Sequence, residues 1–180
     1  VPQRAVQRMR NRWWKQGVTM MQERNAQRMD RDCMKVAVLS DTHNLLRPQV
    51  AALLGTCDAV IHAGDIGSLQ LMDAVREAAG QEAPAFFVRG NNDGEWAEGL
   101  PESLCFTLGG ISFFLVHKKK DIPEKLEGVQ VIVYGHSHKY TQEEKAGRLW
   151  LNPGSCGKRR FNQEITMAFL YLGKGHVQVE

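Results

Sequence analysis

Five apolar segments of this sequence end in side chains that could bind a metal ion. The seven candidates are Asp41 and His43 after "VAVLS", Asp65 after "AVIHAG", Asn91 after "AFFVRG", His117 after "ISFFLV", and His136 and His138 after "VIVYG". Each one alone could be a turn residue, since Asp, Asn and Gly commonly follow strands. Turn formation does not select imidazole, however, and four of the six histidines are in this set. Because α/β sheets bind ligands beyond the carboxyl ends of their strands, we expect these side chains to share one crevice.

The residue types indicate which metals would bind. Imidazole and carboxylate suit Mn, Fe, Zn or Ni, and the absence of thiolate argues against a closed structural zinc site. His136 and His138 are two residues apart, so in an extended segment both rings point the same way. Seven side chains exceed the needs of one ion. Two ions about 3.5 to 4 Å apart would use them all and clamp a phosphoryl group. They would also lower the pKa of a bridging water, so that hydroxide could attack phosphorus near neutral pH.

Strands and helices that could position these residues follow from the hydrophobic pattern. The segments "KVAVLS", "DAVIHA" and "AFFV" are predicted strands, with helices over the Leu46 to Leu54 region and from a Ser68 cap to Ala79. Three hairpins are predicted in the second half, around Gly109-Gly110, Ala146-Gly147 and Gly173 to Gly175, together with a short helix near Ile122 to Leu126 and the strand "VQVIVY". Nine or ten strands favour two packed sheets with helices outside over one open sheet.

The motifs "DTH", "GD", "GNND", a strand-end His and "GHSH", in this order, resemble the calcineurin-like metallophosphoesterase superfamily. The short length and "NPGS" at residues 152 to 155 resemble its small single-domain phosphodiesterase subgroup. The resemblance implies an α/β fold of two packed mixed sheets flanked by helices, an αββα four-layer sandwich. It also implies two metal sites that share Asp65 as the bridge. Their ligands would be Asp41, His43, Asp65 and His138 for one ion, and Asp65, Asn91, His117 and His136 for the other. We expect manganese, with nickel, zinc, iron and magnesium as alternatives.

The sequence departs from that pattern after Asn91. Many larger relatives have a histidine there, often assigned as the general acid, whereas this chain has Asn92. An amide cannot donate a proton as an acid, so we predict a preference for substrates with acidic leaving groups. Asn92 and Asp93 are the candidate catalytic residues, although Asp93 could equally orient a ligand or form a turn.

Basic residues near the motifs are candidates for substrate binding. Lys118 begins a run of three lysines after His117, where relatives typically have glycine. Arg159 and Arg160 follow the "NPGSCG" loop, and a guanidinium can bind phosphate through two hydrogen bonds. Surface charge without a function is the alternative for all of them.

The charge is unevenly distributed along the 180 residues. Residues 1–33 hold eight Lys/Arg and three Asp/Glu, or +5, which leaves 15 against 17, or −2, for residues 34–180. We predict a basic N-terminal extension over 1–33, outside the core, and a metallophosphoesterase domain over 34–180. The extension could instead attract nucleic acid or dock on another subunit, which would make a homo-oligomer. No apolar stretch approaches the roughly 18 residues of a membrane helix, so we expect a cytoplasmic protein with no membrane contact.

These observations predict a dimetal-dependent phosphodiesterase that hydrolyses small or nucleotide-like phosphate esters. One alternative is a metal-binding scaffold for protein partners, like the retromer subunit of this fold. Another is a nuclease that holds DNA or RNA with its basic extension.

Overall fold

The computed structural model describes residues 33–160 and 162–180, which contain ten strands in two sheets. The predicted extension over 1–33 lies outside the described residues, apart from Cys33, and the domain boundary stays a prediction. The first sheet contains β1 (Met34–Leu39), β2 (Ala59–His62), β3 (Ala85–Phe87), β9 (Ala168–Gly173) and β10 (His176–Val179). The second contains β4 (Ser103–Leu108), β5 (Ile111–Val116), β6 (Val131–Val133), β7 (Tyr140–Lys145) and β8 (Arg148–Pro153).

Both sheets are mixed, as the sequence predicts. The order β10-β9-β1-β2-β3 places parallel strands β1, β2 and β3 side by side, with β9 antiparallel to β1. The order β4-β5-β6-β8-β7 places β5, β6 and β8 parallel in the centre, with antiparallel strands at both edges. The three predicted hairpins are β4-β5, β7-β8 and β9-β10. The parallel strands of each sheet therefore end in loops, where the candidate ligands lie.

Alternating side chains explain how the sheets pack. In β1, Val36 and Val38 face the second sheet, whereas Ala37 and Leu39 face the helices, because successive strand residues point to opposite sides. Phe113 and Leu115 of β5 complete the core between the sheets. The ring of Phe106 stacks on Phe86 of the first sheet at 3.8 Å between centroids, and on Phe113 at 5.1 Å. The sheets are thus joined by aromatic contacts as well as aliphatic ones.

Two helices cover the outer face of the first sheet. They are α1 (Pro48–Leu54) and α2 (Leu69–Ala79), and both pack on the cluster that contains Ala37 and Leu39. The predicted cap of α2 is confirmed, since the Ser68 hydroxyl accepts a hydrogen bond from the Leu71 amide at 3.2 Å.

The predicted helix over 122–126 is wrong. The segment forms a 3-10 turn, Lys119–Asp121, followed by an irregular loop whose Leu126 and Val129 pack on the outer face of the second sheet. Pro123 explains the difference, because the residue before a proline avoids the helical region, and Ile122 has extended φ and ψ of −76° and 122°. The second sheet is therefore covered here by a turn and a loop in place of a helix.

Candidate metal centre

Most of the predicted ligands converge at one edge of the two sheets. Loops after β1, β2, β5 and β6 bring together side chains that are distant in sequence, such as His43 and His138, which are 95 residues apart. Two groups have ligand atoms within 4.8 Å of one another, namely Asp41, His43 and His138, and Asp41, Asp65 and His117. Five of the seven predicted residues thus form two groups that share the Asp41 carboxylate, whereas the resemblance implies Asp65 as the shared ligand.

The contacts between these groups form a row. His117 Nε2 lies 3.4 Å from Asp65 Oδ2, and the same oxygen lies 3.8 Å from His43 Nε2. His43 Nε2 is 3.2 Å from His138 Nε2, which is also 3.2 Å from Asp41 Oδ1. We call His117, Asp65, His43 and His138, with Asp41 beside them, the ligand row. Unprotonated imidazoles and carboxylates at such spacing form a multidentate site for divalent cations.

The other two predicted ligands border the row. His136 is exposed, and its ring meets that of His117 edge-on, with 5.2 Å between centroids. Asn91 is exposed too, and with His117 it lines a cavity beside the row. Both residues are therefore neighbours of the His117 end of the row, and His136 belongs to neither of the two groups.

The backbone of this region is unusual. Among the described residues, seven non-glycine residues have positive φ, and five of them are predicted ligands: Asp41 (55°), His43 (45°), Asp65 (54°), His136 (70°) and His138 (58°). Such conformations cost about 1 to 3 kcal/mol each and cluster at functional sites, where the surrounding structure imposes them. The strain indicates that these loops position side chains at the expense of stability.

Glycines let the loops approach one another. A Cβ atom on Gly90 would overlap the backbone nitrogen and Oδ1 of Asp65, and one on Gly135 would overlap the Ser40 hydroxyl. Only glycine therefore fits at these two positions.

Hydrogen bonds fix the direction of the Asp41 carboxylate. Oδ2 accepts hydrogen bonds from the Ser40 hydroxyl at 2.6 Å and from the His136 amide at 3.0 Å. Oδ1 is buried and has no hydrogen-bond partner, although it faces His138 and His43. A buried carboxylate oxygen without a donor is costly. A cation bound between these side chains would satisfy it, so the residues fit a metal ion.

Asn92 holds the Asp65 carboxylate. Its amide N–H donates to Oδ1 at 2.8 Å, and its side-chain Nδ2 donates to Oδ2 at 2.6 Å. Asp93 is buried and accepts hydrogen bonds from the amides of Gly90 at 2.8 Å and Gly67 at 2.9 Å. Of the two candidate catalytic residues, Asn92 touches a predicted ligand, whereas Asp93 braces the "GNND" loop.

A backbone carbonyl orients the His117 ring. Nδ1–H donates to the Ala63 carbonyl at 2.7 Å, so the neutral ring presents its lone pair at Nε2, which is buried and lacks a hydrogen-bond partner. This carbonyl–imidazole arrangement is the usual support of a metal-ligating histidine.

Burial and neighbouring charges perturb the titration of the row. Burial would raise the pKa of Asp65, but interactions with His117 and Asn92 outweigh it and hold the pKa well below its usual range. Burial would lower the pKa of His117, but Asp65 and the Ala63 carbonyl raise it. Burial lowers the pKa of His43 and of His136. Asp65 thus stays ionised. The raised pKa of His117 reflects the negative charge of the nearby carboxylates, which would also attract a metal ion.

The "NPGS" motif supports the site, a role that the sequence did not assign. Asn152 Nδ2 donates to the Gly135 carbonyl at 2.8 Å and to the Ser137 hydroxyl at 3.0 Å, which braces the "GHSH" loop. Ser155 donates to the Asp41 carbonyl at 2.9 Å. Asparagine and serine are common in loops because they form local hydrogen bonds, so their residue types alone do not indicate this role. The only signal in the sequence is the resemblance of the "NPGS" motif to the phosphodiesterase subgroup.

The basic candidates lie in different environments. Lys118 lines the cavity that contains Asn91 and His117, and its charge contributes, after burial and His117, to the lowered pKa of His136. The charge of Arg160 is close enough to help lower the pKa of His43, although burial is the main cause. Arg159 instead donates to the Gln163 carbonyl at 3.2 Å. Lys118 therefore borders the row, the charge of Arg160 acts on His43, and Arg159 braces a loop.

Two packed mixed sheets with aspartates and histidines gathered at their loop edge define a metallophosphoesterase type of fold and site. Residues 34–175 match the family model of the calcineurin-like phosphoesterase superfamily domain. The chain therefore belongs to the calcineurin-like phosphoesterase superfamily.

Individual relatives agree with this assignment. A phosphodiesterase of Methanocaldococcus jannaschii is 28% identical over 144 residues, which cover 68% of this chain and 84% of the relative. The solved structure of an archaeal phosphodiesterase has a TM-score of 0.68 and 26% identity over 82% of this chain and 99% of that one. Vacuolar protein sorting 29 of Cryptosporidium parvum has a TM-score of 0.66 over 82% of this chain and 96% of that one, and its 18% identity shows likeness of fold alone. Within the described residues, no helix has the length and apolar character to cross a membrane.

Proposed function

We propose that this protein is a dimetal-dependent phosphodiesterase. The observation that carries the proposal is the buried Oδ1 of Asp41, which accepts no hydrogen bond and lies in a row with three histidines and a second carboxylate. The family is metal-dependent, and a relative is named phosphodiesterase. Two divalent ions, with manganese as the first choice, would supply Lewis-acid charge and lower the pKa of bound water.

The ligand assignment follows the family pattern. Asp41, His43, Asp65 and His138 would hold one ion, and Asp65, Asn91, His117 and His136 the other. Asp65 is proposed as the shared ligand, since its Oδ2 lies between His43, at 3.8 Å, and His117, at 3.4 Å. The proposal requires Asn92 Nδ2 to give up its hydrogen bond to that oxygen, while its backbone amide keeps Oδ1 in place.

The protein's own side chains would orient the substrate. Lys118 lines the cavity at the His117 end of the row, and the charge of Arg160 acts on His43. Their positive charge would bind phosphate oxygens, and this attraction would become stronger as water is excluded. Asn92 cannot supply a proton to the leaving oxygen, which favours substrates whose leaving group needs none.

Hydrolysis of bis(4-nitrophenyl) phosphate with Mn, Ni, Zn or Mg tests the proposal. Turnover should require an added metal and fall at least 100-fold in Asp65→Asn, because the shared carboxylate is lost. Asp73→Asn, an exposed aspartate on α2, is the matched control and should retain activity. Turnover that persists in Asp65→Asn would contradict the proposal.

A scaffold is the second candidate, favoured by the likeness of fold to vacuolar protein sorting 29. It predicts metal binding without turnover of any phosphate ester. The nuclease alternative depends on residues 1–33 and stays a prediction.

A further inference from the structure

We infer that the ligand row is flanked by two unlike substrate subsites, and that the substrate is a phosphodiester with one aromatic arm and one polar arm. The inference rests on the proposed function, which it deepens. It comes from two cavities, one at each end of the row, that share no lining residue.

The first cavity borders His138 and has a volume of about 640 Å³. Carbon atoms make up most of its exposed wall, although Lys139 and Glu164 also line it. Tyr140, a side chain that is 40% exposed, lines it beside His138. An exposed tyrosine ring beside a polar centre provides a flat apolar surface on which a second ring can stack.

The wall of this aromatic subsite is held in place before any ligand binds. The Tyr140 hydroxyl donates to Gln142 Oε1 at 3.0 Å. Gln163 Nε2 donates to the Ser137 carbonyl at 3.4 Å, and Thr166 donates to the Pro153 carbonyl at 2.8 Å. The loop that faces Tyr140 is thereby tied to the "GHSH" loop and to β8. A preformed apolar wall binds a rigid ring with little loss of conformational entropy.

The second cavity borders His117 and Asn91 and has a volume of about 440 Å³. Most of its exposed wall is nitrogen and oxygen. It contains two cationic side chains, Arg89 and Lys118, and two anionic ones, Glu102 and Asp121. Opposed charges around one space favour an uncharged arm that both donates and accepts hydrogen bonds, such as a polyol.

Contacts of Arg89 and of Lys119, the neighbour of Lys118, hold the cations of this polar subsite. The Arg89 guanidinium donates to the carbonyls of Asp93 at 3.2 Å and Gly94 at 3.5 Å. Lys119, next to Lys118, pairs with Glu143 at 3.5 Å and lies 5.3 Å above the Tyr134 ring. Lys119 therefore anchors the turn that places Lys118 at the cavity.

The two cavities lie at opposite ends of the ligand row, so the two arms of a bound diester would be held apart. The contact path runs from His117 through Asp65 and His43 to His138, so a phosphoryl group over the middle would direct one arm to each cavity. A monoester would fill only one of them. The arrangement thus favours diesters with unlike arms.

Binding of two phosphonates to the Mn-loaded protein tests the aromatic subsite without turnover. Phenylphosphonate and methylphosphonate have the same charged group and differ only in the ring. Calorimetry should give phenylphosphonate a Kd about 3- to 10-fold lower. Tyr140→Ala should abolish this preference, whereas Tyr140→Phe should keep it. Leu53→Ala, which removes an exposed apolar side chain on α1, is the control and should keep it too.

Two outcomes separate the inference from the function on which it rests. Failure of both phosphonates to bind would overturn the proposed function and the inference with it. Equal binding of both, or a phenyl preference unchanged in Tyr140→Ala, would overturn the inference alone.

A pair of diesters with a common 4-nitrophenyl arm tests the polar subsite. The glyceryl ester should have a kcat/KM about 10-fold higher than the propyl ester, because charged side chains bind its hydroxyls. Lys118→Met with Glu102→Gln should reduce the ratio toward one. A ratio near one in the unaltered protein would overturn this half of the inference.

Discussion

His62 makes the stability of this fold depend on pH. It is fully buried at the end of β2, where its Nδ1 accepts a hydrogen bond from the Gly64 amide at 3.2 Å. Its Nε2–H donates to the Thr42 hydroxyl at 3.0 Å, and that hydroxyl donates to the Ile66 carbonyl at 3.0 Å. One ring nitrogen must accept, so the network requires the neutral imidazole.

Burial lowers the pKa of His62 from 6.5 to about 4. Between these values the unfolded chain binds a proton that the folded chain does not, so the free energy of unfolding rises with pH. The contribution is fully present above pH 6.5 and is lost as the pH falls toward 4. One pKa unit corresponds to about 1.4 kcal/mol, so the loss between pH 7.5 and pH 5 is about 2 kcal/mol.

Urea unfolding of the metal-free protein and of His62→Gln, from pH 7.5 to pH 5, measures the contribution of His62 to the free energy of unfolding. Glutamine can accept and donate in the same network but does not titrate. The other histidines contribute equally to both proteins, so the difference isolates His62. The unaltered protein should lose about 2 kcal/mol more than the variant over this range. Parallel pH profiles of the two proteins would refute the reasoning.

Three further changes affect the metal centre and its catalysis. Ser40→Ala should weaken Mn binding about 10- to 100-fold, measured by chelator competition, because Asp41 loses an orienting hydrogen bond; an unchanged affinity would show that the bond is dispensable. Gly135→Ala should lower the free energy of unfolding by about 1 to 3 kcal/mol in urea, because its Cβ overlaps Ser40; an unaltered midpoint would count against the close approach. The rate of diester hydrolysis should fall steeply as the leaving-group pKa rises, since Asn92 cannot protonate it; a flat dependence would argue for a general acid.

The sequence predicts the fold and most of the ligand row because its signals are local. Val36 to Leu39 alternate between two faces, Ser68 caps α2, and Asp65 and His117 each follow an apolar strand. The order of strands within a sheet brings such strand ends together without any detail of side-chain packing.

Other features depend on contacts between distant residues. Asn152 braces the loop of His136 and His138 through the Gly135 carbonyl, which no local pattern reveals. The Tyr140 cavity arises where β7 meets the loop over 162–166. The wrong helix over 122–126 has a local cause, Pro123, because the residue before a proline avoids the helical region.

Elemental analysis of the protein after equilibration with Mn and removal of free metal tests the central claim most directly. Two ions per chain are expected in the unaltered protein and in Asp73→Asn, and at most one in Asp65→Asn. One ion or fewer per chain in the unaltered protein, or equal metal content in Asp65→Asn, would contradict a two-metal centre.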